Sequence, residues 1–224
     1  MTMGSNCNRL SKDLMVNAVL SGIKTTQNKY RNWVNSNKSI SWGPEYLLTT
    51  YIAESIYESH PKLFVIPEGS IHATMRQSGS KTRLSGNKRA LNGRADIVVF
   101  HNNLPKYIVE VKNRVSNLEN IHDDLDRLSY MVSKEKEITS IKYGLMAFVI
   151  DVDYKVKSLN KSNCLEKLDK KIQTLFKNAQ ENKTYGKSIN QYYYEAFEED
   201  EYNFNDTRKI WGWAAVVFVI KPTI

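Results

Sequence analysis

The residues most able to carry chemistry lie in one apolar stretch, Gly93 to Asn113, with the sequence GRADIVVFHNNLPKYIVEVKN. Apolar, β-branched residues flank the turn formers HNNLP, which predicts two strands joined by a tight turn. Asp96 lies among apolar or small neighbours in the first strand, and Glu110 lies in the second, two residues before Lys112. A symmetric hairpin places Asp96 opposite Glu110, where like charges and burial both cost stability. A divalent cation between the two carboxylates would remove both penalties.

Side chains alternate along a strand, so Glu110 and Lys112 are expected to share one face of the second strand. The other face is expected to be the core face, formed by Tyr107, Val109 and Val111. Carboxylate oxygens are hard ligands that suit Mg²⁺ or Mn²⁺, which take further oxygens from a substrate phosphate. A lysine beside such an ion can orient or deprotonate water, or neutralise charge on the phosphate. The groups needed to hydrolyse a phosphodiester are therefore present. The alternative is an edge hairpin with a solvated face and a weak Glu110–Lys112 surface pair.

The elements that must position this hairpin follow from the periodicity of apolar residues. Their order predicts an α/β fold, with a mixed central sheet flanked by helices. Residues 1–40 are predicted to be a small N-terminal helical extension, and 41–224 a single domain. The predicted elements are two helices before residue 35 (the second over 25–34), a helix from Pro44 with Leu48, Ile52 and Ile56 on one face, a strand within 61–69, a helix over 117–137, a central strand over 144–154, an amphipathic helix over 164–182, a Tyr-rich acidic connection and a last strand over 211–220.

The charge of the chain favours a polyanionic partner. The net charge is +8 and the pI about 9.3, which suits nucleic acid. The stretch 76–94 has several basic residues, three glycines and no acid, and is predicted to be a flexible basic loop or a long hairpin. Beside the hairpin it would follow a nucleic-acid backbone, whereas the alternative is an ordinary solvated loop. The candidate contact residues are Arg83, Lys88, Arg89 and Arg94, of which Arg94 either holds the scissile phosphate or only ends the loop.

Other function classes are disfavoured by what the sequence lacks. Cys7 and Cys164 have no zinc-ligand spacing, and no glycine-rich phosphate loop is present. The longest apolar run, Trp213 to Ile220, is too short to span a bilayer, and the N-terminus does not resemble a secretory signal. We therefore expect a cytoplasmic protein with no membrane partner.

With these residues, the hairpin resembles the core motif of the PD-(D/E)xK nuclease superfamily, the restriction-endonuclease-like fold. The motif has an Asp at the start of one strand, as in GRADIVVF, and (D/E)xK in the next, as in YIVEVKN. Ala95 stands where a proline usually precedes the Asp, at a position that varies in the superfamily. The resemblance implies Asp96 and Glu110 as metal ligands, Lys112 as the catalytic lysine, and Mg²⁺ as the cofactor, for which Mn²⁺ can substitute. The motif covers about twenty residues, and the matching order of elements covers 41–155.

The resemblance also implies a third acid, contributed by the helix that precedes the core. Glu45 and Glu54 are the candidates, and at nine residues apart they point to nearly opposite sides of a helix. Glu45 shares its face with Leu48 and Ile52, so we favour it as a further catalytic residue and metal ligand. The alternative is a surface acid or, for Glu45, a partner of the helix dipole.

These observations predict a Mg²⁺-dependent deoxyribonuclease, in restriction or anti-phage defence, for which a homodimer is one way to cut both strands. One alternative is a catalytically silent module with a nuclease-like fold that binds nucleic acid or protein, which the basic N-terminal helices and the acidic Tyr-rich segment favour. Another is an RNase, although DNA is preferred as the partner; a protein distinguishes the two by groove shape and by contacts to the 2′-hydroxyl. Asp123, Asp126 and Arg127 of the following helix are predicted to form structural ion pairs, and the alternative is a minor role in holding substrate.

Overall fold

A six-stranded mixed sheet with helices on both faces forms the protein, as its alternating apolar strands and amphipathic helices predict. The strands are β1 (Leu63–Ser70), β2 (Arg94–His101), β3 (Leu104–Lys112), β4 (Tyr143–Lys155), β5 (Ile189–Phe204) and β6 (Thr207–Ile220). The helices are α1 (Lys12–Val34), α2 (Glu45–Ser59), α3 (Ile71–Gln77), α4 (His122–Ser133) and α5 (Ser162–Gln180), with 3-10 turns at Ile40–Trp42, Leu118–Ile121 and Gly186–Ser188. The computed structural model describes residues 10–35, 39–80, 93–133, 139–155, 162–204 and 207–222.

The strand order is β1-β2-β3-β4-β6-β5. β3 and β4 run parallel, and the other neighbouring pairs are antiparallel. β3 and β4 both lie inside the sheet and are covered on both faces, which explains why their sequences are almost continuously apolar. The central position predicted for the strand over 144–154 is confirmed.

The turn between β2 and β3 consists of Asn102 and Asn103, with φ of 53° and 62°. Two residues at positive φ give the turn that matches the twist of a hairpin, and asparagine tolerates this conformation better than most residues. A bulge between Val99 and Phe100 shifts the register only at the turn end of the hairpin.

The register beyond the bulge is the one that the sequence predicts. Ile97 pairs with Val109, and the continuation of this ladder brings Asp96 opposite Glu110. The predicted juxtaposition of the two acids is therefore confirmed.

Both faces of the sheet are buried, which corrects the expectation of one core face and one polar face. On one side α1 and α2 cover Tyr107, Val109 and Val111. On the other side α3, α4 and α5 cover Ile108, and Glu110 on that same face is fully buried. The interpretation of the hairpin as a solvated edge is wrong, because β3 is an interior strand.

The N-terminal helix is continuous from Lys12 to Val34, rather than two helices. It packs closely on α2, since a Cβ added at Gly22 would lie 2.6 Å from the Cα of Ile52. The apolar side of α1 thus joins the same layer as α2 and the sheet. The domain boundary at residue 40 stays a prediction.

The Tyr-rich acidic segment is a strand rather than a connection. It forms β5, which pairs antiparallel with β6 from Ile189 to Phe204. Tyrosine and phenylalanine favour strands, and an edge strand tolerates acidic side chains that face solvent. Tyr192 and Tyr194 pack on one core layer, and Tyr193 packs on the other, as the alternation of a strand requires. Among the described residues, no helix is long and apolar enough to cross a membrane.

Candidate active site

Asp96 is held across the hairpin by the neighbouring strand. Its Oδ2 accepts a hydrogen bond from the backbone N–H of Val111 at 2.7 Å, just beyond Ile97 and Val109, the last paired residues at this end of β2 and β3. This bond fixes the carboxyl beside Glu110, and the two carboxyls lie within hydrogen-bonding reach of each other. The paired acids predicted from the sequence are therefore brought together.

Glu110 is fully buried in the middle of the sheet. Its Oε1 accepts a hydrogen bond from Nε of Arg127 at 2.9 Å. Nη2 of Arg127 lies 2.8 Å from Oε2, but Oε2 accepts no hydrogen bond of good geometry. The ion pair by itself therefore leaves one buried carboxyl oxygen unsatisfied.

The pKa of Glu110 accounts for the carboxyl oxygen that accepts no hydrogen bond. Burial raises the pKa of Glu110 to about 8; Arg127 opposes the shift, while Asp96 and Asp124 add to it. Burial also raises the pKa of Asp96, although the Val111 N–H and a hydrogen bond with Glu110 hold it down. At neutral pH Glu110 is therefore mostly protonated and can donate to Asp96. Protonation of Glu110 relieves the repulsion between the two carboxyls.

Lys112 lies at the end of β3 between two further carboxylates. Its Nζ is 3.4 Å from Oε1 of Glu45 and 3.5 Å from Oδ2 of Asp124. Burial lowers the pKa of Lys112, but Asp124 and Glu45 together outweigh burial, and the pKa is raised. The lysine is therefore a positive charge at neutral pH, suited to neutralising an anion rather than to taking a proton from water.

Glu45, which contacts Lys112, is the first residue of α2. Its Oε2 accepts a hydrogen bond from the backbone N–H of Asn113 at 3.0 Å. The Asn113 amide in turn donates to the carbonyls of Ile40 and Gly43, at 2.8 and 2.7 Å. Glu54, the other candidate, is exposed on the same helix. The structure thus brings Glu45 to the hairpin and leaves Glu54 away from it.

Asp124 belongs to the cluster but is not among the residues predicted from the sequence. Arg127 forms ion pairs as predicted, but its partners are Glu110 and Asp124, at 2.8 and 2.7 Å, rather than Asp123 or Asp126. Asp124 lies three residues after Ile121 and four before Leu128, which puts it on the buried stripe of α4. That spacing was the signal that could have identified it.

The whole cluster carries an excess of negative charge. Four carboxyls (Glu45, Asp96, Glu110, Asp124) meet two cations (Lys112, Arg127), so the fully ionised cluster has a formal charge of −2. This balance and the hard oxygens of the Asp96–Glu110 pair fit one divalent cation such as Mg²⁺.

The third predicted ligand does not join this pair. In the part of the chain that the structure describes, no three acidic, histidine or cysteine side chains converge as a metal-binding group. Glu45 is instead engaged by Lys112 and Asn113. Water and substrate oxygens would therefore complete the coordination of an ion held by Asp96 and Glu110, as is usual for Mg²⁺.

The basic loop falls largely outside the described residues, and Arg83, Lys88 and Arg89 lie there. Arg94 is described; it begins β2 and is exposed, two residues before Asp96. Its position next to the acidic pair is compatible with a contact to an anionic substrate.

Comparison with known proteins identifies no relative. No family model matches the sequence, and neither the curated proteins nor the solved structures gave a significant match. Any functional assignment therefore depends on the chemistry of the cluster itself.

Proposed function

We propose that this protein is a Mg²⁺- or Mn²⁺-dependent nuclease with a restriction-endonuclease-like fold, which hydrolyses phosphodiester bonds in DNA in preference to RNA. The observation that carries the proposal is the juxtaposition of Asp96 with the fully buried Glu110, where burial raises the pKa of both carboxyls. Burying two adjacent carboxyls costs stability, and such costs concentrate at functional sites. A divalent cation would take the place of the proton on Glu110.

The arrangement of elements supports the proposed fold. α2 precedes β1, the β2–β3 hairpin carries the acids, and α4 connects β3 to the parallel strand β4. This is the order of elements on which the resemblance to the nuclease superfamily depends. Both the hairpin register and the approach of Glu45 from α2 agree with it.

The side chains divide the work in the proposed reaction. Asp96 and Glu110 would hold the metal ion, which polarises a phosphate oxygen and lowers the pKa of bound water. Lys112 stays charged and stabilises the negative charge that develops on the phosphate. Glu45 and Asp124 hold the Lys112 ammonium in place. Arg127 fixes the orientation of Glu110.

A cleavage assay tests the proposal. Purified protein is incubated with supercoiled plasmid, linear duplex, single-stranded DNA and RNA, each with Mg²⁺, Mn²⁺ or EDTA. We expect metal-dependent cutting that Lys112→Ala abolishes. Lys170→Ala, which removes an exposed lysine paired with Glu166, is the control and should cut like the wild type. Full activity in Lys112→Ala would refute the assignment of the site.

One feature favours a second candidate, a nuclease-like module that binds nucleic acid and cuts nothing. Arg127 contacts both Glu110 and Asp124, and Lys112 contacts both Glu45 and Asp124. The chain thus supplies partial neutralisation of its own acids. This candidate predicts nucleic-acid binding that is independent of metal and unaffected by Asp96→Ala, with no cleavage of any substrate.

A further inference from the structure

An exposed tryptophan lies beside the cluster without being part of it. Trp42 ends the 3-10 turn that precedes α2, and 63% of its surface is exposed. Only two residues separate it from Glu45, whose carboxylate contacts Lys112. Large aromatic side chains are usually mostly buried, because they contribute a large apolar area. Exposure alone does not mark a site, since Trp33 is equally exposed. What distinguishes Trp42 is that it lies three positions before Glu45 of the candidate active site.

The segment that carries Trp42 is fixed at three points. The backbone N–H of Ile40 donates to Oε1 of Gln27 in α1 at 2.6 Å. The hydroxyl of Ser41 donates to Asp151 of β4 at 2.5 Å. Asn113, which follows β3, donates to the carbonyls on both sides of Trp42. The turn is thus anchored to three elements while its aromatic residue stays outside the core, which gives a preorganised surface for binding.

A cation accompanies the ring. The guanidinium carbon of Arg114 lies 4.3 Å from the centre of the Trp42 ring. Arg114 has φ of 53°, a left-handed conformation that is unfavourable for a residue with a side chain. Such strain clusters at ligand-binding sites. Arg114 is two residues from Lys112, so the Trp–Arg pair adjoins the place where the proposed reaction needs a phosphate.

We propose that Trp42 and Arg114 form a stacking site for one unpaired base of a nucleic-acid strand entering the active site. A base stacks on the exposed ring, and Arg114 contributes a cation–π interaction and attraction to the adjacent phosphate. In a regular duplex the bases are stacked on each other, so an indole can stack only on a base at an end, in a single strand or out of the helix. The substrate class is therefore single-stranded or locally unpaired nucleic acid. This inference rests on the proposed nuclease function for its substrate, but its test does not require cleavage.

The test measures binding of labelled oligonucleotides in EDTA, by fluorescence anisotropy, with a single strand and a duplex of the same sequence. We expect the wild type to bind the single strand more tightly. Trp42→Ala should weaken single-strand binding by about tenfold, or about 1.4 kcal/mol, at the lower end of the range for one stacked base. Trp42→Phe should retain most of the affinity.

The controls separate stacking from general effects. Trp33→Ala removes an equally exposed tryptophan, at 63%, whose ring faces Tyr51, and should leave the affinity unchanged. A strand made entirely of abasic nucleotides should bind wild type and Trp42→Ala equally, because it has no base to stack. Arms with DNA and RNA strands identify the sugar that is preferred.

Three binding results would each overturn the inference: equal binding of the single strand by wild type and Trp42→Ala, equal weakening of single strand and duplex, or no oligonucleotide binding by the wild type. Self-association that Trp42→Ala abolishes, with oligonucleotide affinity unchanged, would also overturn it and assign the ring to a contact between copies. If Lys112→Ala abolishes cleavage while Trp42→Ala binds normally, the nuclease stands and the stacking site falls. If no cleavage occurs but binding depends on Trp42, the stacking site stands without the nuclease.

Discussion

Glu110 is the residue that connects the fold with the proposed function most directly. Its side chain is fully buried, and among the described residues its charged neighbours are Arg127 and the carboxyls of Asp96 and Asp124. A structural ion pair with Arg127 alone would not place Asp96 against the same group. The raised pKa of Glu110 therefore agrees with the proposed role of the Asp96–Glu110 pair in holding a cation.

The raised pKa of Glu110 gives a prediction about stability. The carboxyl titrates near its ordinary value of 4.5 when unfolded and at about 8 when folded. Below pH 4.5 both states are protonated. Between pH 4.5 and 8 the folded state keeps a proton that the unfolded state releases, so the free energy of unfolding falls by about 1.4 kcal/mol per pH unit and levels off above 8.

The glutamine in Glu110→Gln cannot titrate. The variant should therefore lose a slope of about 1.4 kcal/mol per pH unit in the free energy of unfolding between pH 4.5 and 8. Urea unfolding of both proteins at several pH values between 5 and 9 measures it, and Glu119→Gln, an exposed acid next to α4, is the control. Asp96 contributes in the same direction and should leave a residual slope in the variant, because its pKa is also raised. Parallel pH profiles for wild type and Glu110→Gln would contradict the titration assigned to Glu110.

At the scale of elements, the close contact between α1 and α2 is the most testable packing feature. Gly22→Ala adds a Cβ that meets backbone atoms of Ile52 and Tyr51 at 2.6 and 2.9 Å. The helix propensity of alanine favours the variant by about 1 kcal/mol, but pushing two packed helices apart costs about 1–3 kcal/mol. We expect a net loss of stability in urea unfolding.

The control for this variant is Ser21→Ala, at an exposed position of the same helix. It gains helix propensity without a clash and should be neutral or slightly stabilising. A stabilised Gly22→Ala would show that α1 does not depend on the close approach to α2.

The hairpin was predictable because its signals are local. The Asn102–Asn103 turn and the two-residue period of strands together determine the register, and with it the meeting of Asp96 and Glu110. Glu45 was also predictable, because helical periodicity assigns it to the core side of α2.

The features that the sequence did not predict depend on contacts between distant segments of the chain. β5 becomes a strand because β6 offers an unpaired edge, which its acidic composition does not indicate. The burial of Glu110 depends on helices α3 to α5 packing on that face of the sheet. Asp124 reaches Lys112 only when α4 is docked beside β3.

At the scale of the whole molecule, the charge is distributed unevenly. The chain carries +8, whereas the fully ionised cluster around Glu110 carries −2. A positive molecule attracts a polyanion over a long range, while a negative cluster attracts a small cation locally. The two preferences together suit a metal-dependent enzyme that acts on nucleic acid.

Metal binding should stabilise the folded molecule. An ion that binds only the folded state raises its stability by about 2.7 kcal/mol at a hundredfold excess over the dissociation constant. We expect Mg²⁺ or Mn²⁺ to raise the thermal midpoint of the wild type but not of Asp96→Asn, which cannot supply a carboxylate. Asp123→Asn, at an exposed acid on α4, is the control and should respond like the wild type. An equal rise in Asp96→Asn would place the metal elsewhere.

The most direct measurement compares plasmid cleavage by the wild type and by Asp96→Asn at equal protein and Mg²⁺ concentrations. The asparagine carbonyl can still accept the hydrogen bond from the Val111 N–H, so the hairpin should keep its register, which circular dichroism and thermal unfolding would check. We predict that the wild type cuts in Mg²⁺ and not in EDTA, and that Asp96→Asn loses at least a hundredfold in rate, roughly the effect of one important catalytic group. Cleavage by a folded Asp96→Asn at the wild-type rate, or equal cleavage in EDTA, would contradict a metal-dependent nuclease site in this hairpin.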